Sequence, residues 1–555
     1  MFSNIQFEVG GVQMRRLSNQ ILSAETHAQR RFGSRFTFCF LLMFAILFLA
    51  ASPASAKDIY ISQSGTGTGT SCTDTLPVAW FNNSANWGSG SSQIGPGTTV
   101  HLCGTFTGAP GSTMLTFQGS GTSGNPITLL FESGANLTAP YWSTNGAINT
   151  NGNSWLVVNG DITGGRQGII QNTANGSSLT YRQVSRGILA DRCANCVVKN
   201  ITIANIYIHT SSADNSVPGD QVNGLRFYYN ADNLTITNIL CHDVTWCAVG
   251  TANNFTLSNS EIYNVDHGIA DALTGTGTLT NIGIYGNHIH DYATWDTSSN
   301  SYHHDGIHIW ANSGAQVSGG NIYNNLFDGD VGANVTAHVY IETVSGSPAG
   351  TYTSNIRIFN NVFLPPGTSR NYRAIWMDGG AGNPSNNAVY NNFINTGLNS
   401  YDAVRANGQA GVRFENNLIM SSGNGSSDIV LASSTTVGTV DYNTYLSNTG
   451  GNTFVWQSSF IGSLSQWQSS CSCDANSQLV TSSQINATSD GHLQIGSVAI
   501  TAGTNLTSLS LTALNYDKAG ILRPAVGTWA AGAYVAPGTQ AGQPNPPTNV
   551  RATVQ

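Results

Sequence analysis

One phrase recurs through the middle of this chain and restricts its fold more than any other feature. An Asn is followed by a short apolar run: Asn200-Ile-Thr-Ile, Asn238-Ile-Leu, Asn259-Ser-Glu-Ile, Asn287-His-Ile-His, Asn325-Leu-Phe, Asn361-Val-Phe-Leu, Asn392-Phe-Ile, Asn417-Leu-Ile-Met and Asn443-Thr-Tyr-Leu. The spacings are 38, 21, 28, 38, 36, 31, 25 and 26 residues. A unit of twenty-odd residues carrying loop insertions fits one coil of a solenoid. Asn tolerates the left-handed backbone of a sharp bend, and its amide can hydrogen-bond to its neighbours along a stack.

A second phrase is phase-locked to the first: a small residue and then an apolar strand. It reads Gly187-Ile-Leu, Gly224-Leu-Arg-Phe, Ala248-Val-Gly, Gly268-Ile-Ala, Gly306-Ile-His-Ile, His338-Val-Tyr-Ile, Ala374-Ile-Trp-Met and Ala403-Val-Arg. Two strand columns in one repeat are hard to build from helices. Leucine-rich repeats share the period, but their L-x-x-L-x-L frame is absent. The Asn phrase resembles the asparagine ladder of the pectate-lyase-like superfamily. The opening Lys57-Asp-Ile-Tyr-Ile-Ser and the closing Asp517-Lys-Ala-Gly-Ile-Leu-Arg-Pro…Gly532-Ala-Tyr resemble the ends common there. The resemblance implies an all-β, right-handed, single-stranded parallel β-helix with an asparagine ladder, and an activity on polysaccharides. It carries no catalytic motif: the N-T-D, D-D, G-H-G and R-I-K pattern of polygalacturonases is missing, as are the pectate-lyase signatures.

Three segments are expected. Residues 1–56 read as a signal peptide with an extended basic region: Arg30, Arg31 and Arg35 precede the apolar run Phe36 to Ala51, and Ala54-Ser55-Ala56 is a cleavage pattern. The run has 16 residues, short for a membrane span. The β-helix with its caps occupies 57–537. Residues 538–555 form a Pro-rich tail that resembles a linker opening a fibronectin-type module. The protein is therefore expected outside the cell or at its surface, as a monomer, with no membrane attachment after cleavage. A net charge of −8 and only three lysines argue against nucleic acid as a partner. Export suits disulfides among the eight cysteines of the mature chain, with 72–103 and 241–247 as local pairs and Cys193-x-x-Cys196 in a structural role.

Strand alternation places side chains. With Ile307, Ile309, Val339, Ile341, Ile375, Met377 and Val404 pointing in, one outward column reads Leu189, Arg226, Gly250, Ala270, His308, Tyr340, Trp376, Arg405. The next reads Asp191, Tyr228, Trp310, Glu342, Asp378, Asn407, and a third holds Gly306, His338, Ala374 and Ala403. The longest coils bracket this stripe, and one of their loops carries Trp295, Tyr302, His303 and His304. Rings suit the apolar faces of sugars, and a polysaccharide is the expected ligand.

The first reading is a lyase or a C5 epimerase of uronic acids. His308 is the candidate base, Tyr340 the acid and Arg405 the partner of the substrate carboxylate. Asp305 is a fourth candidate catalytic group. Trp310, Trp376, His338 and His304 are candidate sugar contacts, and Arg226, three coils away, would serve a distant subsite. Glu342 and Asp378 are candidate ligands of Ca²⁺, which takes oxygen donors. The second reading is a glycoside hydrolase using Asp305, Glu342 and Asp378. The third is a non-catalytic adhesin or carbohydrate-binding protein. His303-His304-Asp305-Gly-Ile-His308 has the composition of a metal cluster. On one extended strand, however, 304 and 308 lie too far apart to chelate one ion. Asp305, Asp402 and Asp266-His267-Gly268 can also be read as corner-forming residues.

Overall fold

The computed structural model describes residues 57–537 except 177–178, 209–220, 293–302, 333–334, 368–370, 380–383, 398–400, 423–425 and 448–452. The expected signal segment and tail lie outside the described residues. Each coil contributes strands to three columns, not the two legible in the sequence. The first column precedes the ladder Asn and runs through Val197–Lys199, Thr235–Thr237, Thr256–Ser258, Gly277–Tyr285, Ala315–Tyr323, Tyr352–Phe359 and Ala388–Tyr390. The second follows the Asn, as in His288–His290, Leu326–Asp328, Val362–Phe363 and Phe393–Gly397. The third carries the stripe: His304–Asn312, Val335–Thr343, Arg373–Asp378 and Val404–Asn407. Coils pair in parallel throughout these columns. The chain is a right-handed parallel β-helix.

The ladder is continuous from Asn287 through Asn325, Asn361, Asn392 and Asn417 to Asn443, each Nδ2 donating to the next Oδ1 at 3.0 Å. Each backbone N–H also donates to the Oδ1 one coil on, at 2.9–3.1 Å. In the earlier coils the phrase is out of step by one residue. Register aligns Asn259 with Gly286 and Asn324, and Ser260 with Asn287. Asn200, Asn238 and Asn259 therefore hold the left-handed corner position, at φ of 56°, 53° and 54°, as do Asn324, Asn360, Asn391 and Asn416. Adjacent positions want Asn for different reasons, one for its backbone and one for its buried amide. A second, exposed ladder links Asn195, Asn233, Asn254 and Asn281 at 2.8–3.0 Å.

The interior is aliphatic and aromatic, and Ile307, Ile309, Val339, Ile341, Ile375, Met377 and Val404 are all fully buried. Removing such residues from water supplies most of the favourable energy, about 25 cal/mol per Å². At the far end Phe454–Gln457 pairs antiparallel with Ser459–Ile461, and helix Leu464–Cys471 lays Trp467 over Phe454 with centroids 5.0 Å apart. The Ser463 side chain caps that helix through the Gln466 N–H. The closing segment then docks on the left-handed corner. Arg523 donates to the Asn360 side chain at 2.8 Å, Lys518 to the Asn324 carbonyl at 2.9 Å, and Asn391 to the Ala530 carbonyl at 3.0 Å. Disulfides join Cys72–Cys103, Cys193–Cys196, Cys241–Cys247 and Cys471–Cys473, the two expected pairs among them. No helix among the described residues is long and apolar enough to cross a membrane.

Candidate functional site

Parallel pairing fixes the stripe. His308 lies against Tyr340, Tyr340 against Trp376, and Trp376 against Arg405; Trp310, Glu342, Asp378 and Asn407 form the adjoining row in the same register. One member of the expected column is corrected: Val249, not Gly250, stands between Arg226 and Ala270. Four coils thus carry the polar and aromatic groups.

The rings stack on one another along the axis. Trp246 covers His267 at 4.0 Å, His267 faces His308 at 5.8 Å, His308 stacks on Tyr340 at 4.6 Å and Tyr340 on Trp376 at 4.7 Å. The Arg373 guanidinium covers Trp376 at 4.3 Å. His308 and Tyr340 are consequently only 6% and 7% exposed. This corrects the expectation of a ring platform. Faces that cover each other cannot also cover a sugar, so the outward stripe presents ring edges. Trp310, tilted beside His308 at 4.5 Å and half-buried, is the ring outside this pile.

Glu342 is the hub of the polar row. His308 Nε2 lies 3.2 Å from its carboxylate, and the Tyr340 hydroxyl faces it as well. Burial, then the charges of Glu342, Asp378 and Asp305, raise the Tyr340 phenol far above its ordinary value, so it stays protonated at neutral pH. Burial also raises the Asp378 carboxyl, against the lowering effect of the Asn407 amide that donates to it at 2.7 Å. Glu342 and Asp378 offer two carboxylates one coil apart. A Ca²⁺ held there would draw most of its six to eight oxygens from water or substrate.

On the other flank Asp402 accepts from Arg405 at 2.7 Å and from Arg373 at 3.4 Å. Arg373 was not among the expected site residues. It directly precedes the phrase Ala374-Ile-Trp-Met, in line with Asp305 and Ala337, and that position could have flagged it. Arg226 is held by Asp191 at 3.3 Å and lies over Tyr228, away from the four coils.

Two expected sugar contacts point the wrong way. His338 is fully buried inside the coil, where its Nδ1 is hydrogen-bonded with the Tyr292 hydroxyl at 2.7 Å, among Phe327, Phe363 and Tyr372. Burial lowers its pKa to about 3. His304 is also fully buried, with Nδ1 2.7 Å from Asp266. Both errors come from the corner before the strand, where alternation fails: Asp305 faces out, and the next two positions both face in. A Cβ on Gly306 would meet the Tyr292 hydroxyl at 2.4 Å. Trp295 and Tyr302 lie outside the described residues.

Asp305 is fully buried, yet it faces three imidazoles. Its Oδ2 lies 3.3 Å from His267 Nε2, 3.0 Å from His303 Nδ1 and 3.6 Å from His308 Nδ1. Burial alone would raise this carboxyl, but the facing His267 and His303 hold it below its ordinary value. Burial lowers His267 to about 4, so it is neutral at pH 7. Sequence reading missed His267 as a member because it comes from the coil below.

No protein-family model and no curated protein sequence matches this chain. Among solved structures it is similar to a complex of XylC with xylose, at 10% identity and a TM-score of 0.44, covering 86% of this chain and 98% of that one. A rhamnogalacturonan lyase matches at 15% identity and a TM-score of 0.34, over 70% of this chain and 87% of that one. The A-module of the Azotobacter vinelandii mannuronan C-5 epimerase AlgE6 matches at 15% identity and 0.31, over 65% of this chain and 90% of that one. None of these likenesses bears on the chemistry of the stripe.

Proposed function

We propose that the outward stripe of His308, Tyr340, Trp376 and Arg405, with the row Trp310, Glu342 and Asp378 beside it, binds an acidic polysaccharide and breaks it by β-elimination at a uronic acid. The observation that carries this reading is the His308–Tyr340 stack, with a phenol held protonated and two guanidinium groups on one flank. A uronate carboxylate is repelled by the Glu342 and Asp378 row and attracted to the Arg373 and Arg405 flank, which orients the sugar across the stripe. His308 takes the C5 proton, the C4–O4 bond breaks as the C4–C5 double bond forms, and Tyr340 protonates the departing O4. Glu342 faces both groups and is placed to return the proton from imidazolium to phenolate.

A second reading has a specific observation in its favour. Glu342 and Asp378 sit on adjacent coils, about 4.8 Å apart along the axis. The carboxyls of a retaining glycosidase are about 5–5.5 Å apart. The raised Asp378 is the acid such a pair needs.

One assay separates the two. Purified protein is incubated with uronic acid polymers while ultraviolet absorbance of a 4,5-unsaturated product and new reducing ends are recorded together. Absorbance that disappears in His308→Ala, with an unchanged melting temperature, supports elimination. Reducing ends without absorbance support hydrolysis. Binding without either overturns both.

A further inference from the structure

We propose that His267, His303 and Asp305 form a binding site for a divalent transition metal of the zinc type. The proposal stands whichever reaction the stripe performs. Three donor atoms of these residues lie within 4.8 Å of one another. Zinc binds His nitrogen and carboxylate oxygen at about 2.0–2.2 Å, so neighbouring ligands of a tetrahedral site stand about 3.3–3.6 Å apart. The Asp305 Oδ2 contacts with His267 and His303 are 3.3 and 3.0 Å, close to that edge. His308 Nδ1, at 3.6 Å from the same Asp305 oxygen, stands near the remaining corner.

A second observation is independent of composition. His267 Nε2, Asp305 Oδ2 and His308 Nδ1 are buried without an aligned hydrogen bond. Buried polar atoms are normally satisfied, and a convergent set that is not points to an ion or water among them. The surroundings hold the ligands in place as supporting groups do at metal sites. Asp305 Oδ1 accepts the Ala337 N–H at 3.1 Å, and Trp246 fixes the His267 ring by stacking. His303, half exposed, gives the ion a way in; its Nδ1 also meets the Thr336 hydroxyl at 3.1 Å, a contact the metal would replace. The imidazole–carboxylate set suits zinc, copper, nickel or cobalt and is wrong for an all-oxygen Ca²⁺ site.

Another histidine cluster provides the control. Glu261, His288 and His290 also lie close together, but His288 pairs with Asp328 at 2.7 Å, His290 with Asp291 at 2.7 Å and Glu261 with Arg166 at 3.3 Å. The experiment is titration of chelator-treated full-length protein with Co²⁺, read by its visible absorption and by equilibrium dialysis, followed by Zn²⁺ competition. One Co²⁺ per chain with the spectrum of a low-symmetry nitrogen–oxygen site is expected. His303→Ala, at an exposed position, should weaken binding at least a hundredfold, and Asp305→Asn should do the same with an unchanged circular dichroism spectrum. His288→Ala should leave binding intact. Absence of binding at micromolar metal, full affinity in His303→Ala, or loss of the ion in His288→Ala would each overturn the proposal.

Discussion

Asn361→Ala tests the ladder where its contribution can be worked out bond by bond. Asn361 is fully buried. Its Oδ1 accepts from the backbone N–H and the side-chain amide of Asn325, both at 3.0 Å, and its Nδ2 donates to the Ile322 carbonyl at 2.9 Å and to Asn392 at 3.0 Å. Truncation leaves the Asn325 N–H and one proton of the Asn325 amide without the acceptor they have in the ladder. Asn392 still receives the backbone N–H of residue 361. Each stranded buried group costs about 1–3 kcal/mol, so the two together should destabilise by about 2–6 kcal/mol. Asn254→Ala removes a rung of the exposed ladder at φ 55°. Water replaces those bonds, and the remaining cost is the left-handed backbone, about 1–2 kcal/mol. Urea unfolding of the wild type and both variants, compared at unchanged m values, measures the two costs. If Asn361→Ala loses no more than Asn254→Ala, burial does not amplify the ladder and the buried amides do not hold the coils together.

Three further outcomes are expected. Tyr340→Phe should lower the elimination rate about 10²–10⁴-fold, the range of a general acid, with the melting temperature preserved; a rate within threefold of wild type removes Tyr340 from the chemistry. Arg373→Ala should raise KM about tenfold or more with kcat little changed, since a charged contact contributes about 1.5–3 kcal/mol; a selective fall in kcat would assign it a different role. His338, lowered by burial to about 3 in the folded protein, stays neutral there beside the Tyr292 hydroxyl. The unfolded chain binds its proton from about pH 6.5 downward, so this contribution is present above that pH and lost on acidification, by about 2 kcal/mol at pH 5. His338→Gln should flatten that dependence in melting scans between pH 7 and 5, and an unchanged slope would contradict the assignment.

The sequence made the coil legible because a solenoid repeats one local solution, and local solutions leave periodic traces. Asn361 and Ile375 could be placed from spacing and alternation alone. The first strand column was missed because segments such as Thr235–Thr237 are three residues long and lack a repeated landmark of their own. The stripe His308, Tyr340, Trp376, Arg405 was legible for the same reason as the core: residues on a regular strand alternate. His304 and His338 were misplaced because they sit at the corner, where the chain turns and two successive side chains enter the coil. His267 was read only as a corner residue because its partners come from the next coil, a relation set by insertion length and invisible to spacing within one phrase.

The outward column is Val249 and Ala270 before His308, and Val430 and Val455 after Arg405. Val430, Ala432 and Val455 pack into a small apolar cluster of their own. The ladder runs on unbroken to Asn443 past the end of the polar stripe. Fold and site are therefore written into different columns of the same strands. The inner column and the corner amides must repeat in every coil, because an unpaired buried amide is costly wherever it falls. The outer column carries no such requirement, so it can be aliphatic in one coil and hold a His or an Arg in the next. Groups separated by about thirty residues then meet at the fixed spacing of the coils, which lets four consecutive coils assemble a site on a scaffold whose stability hardly depends on it.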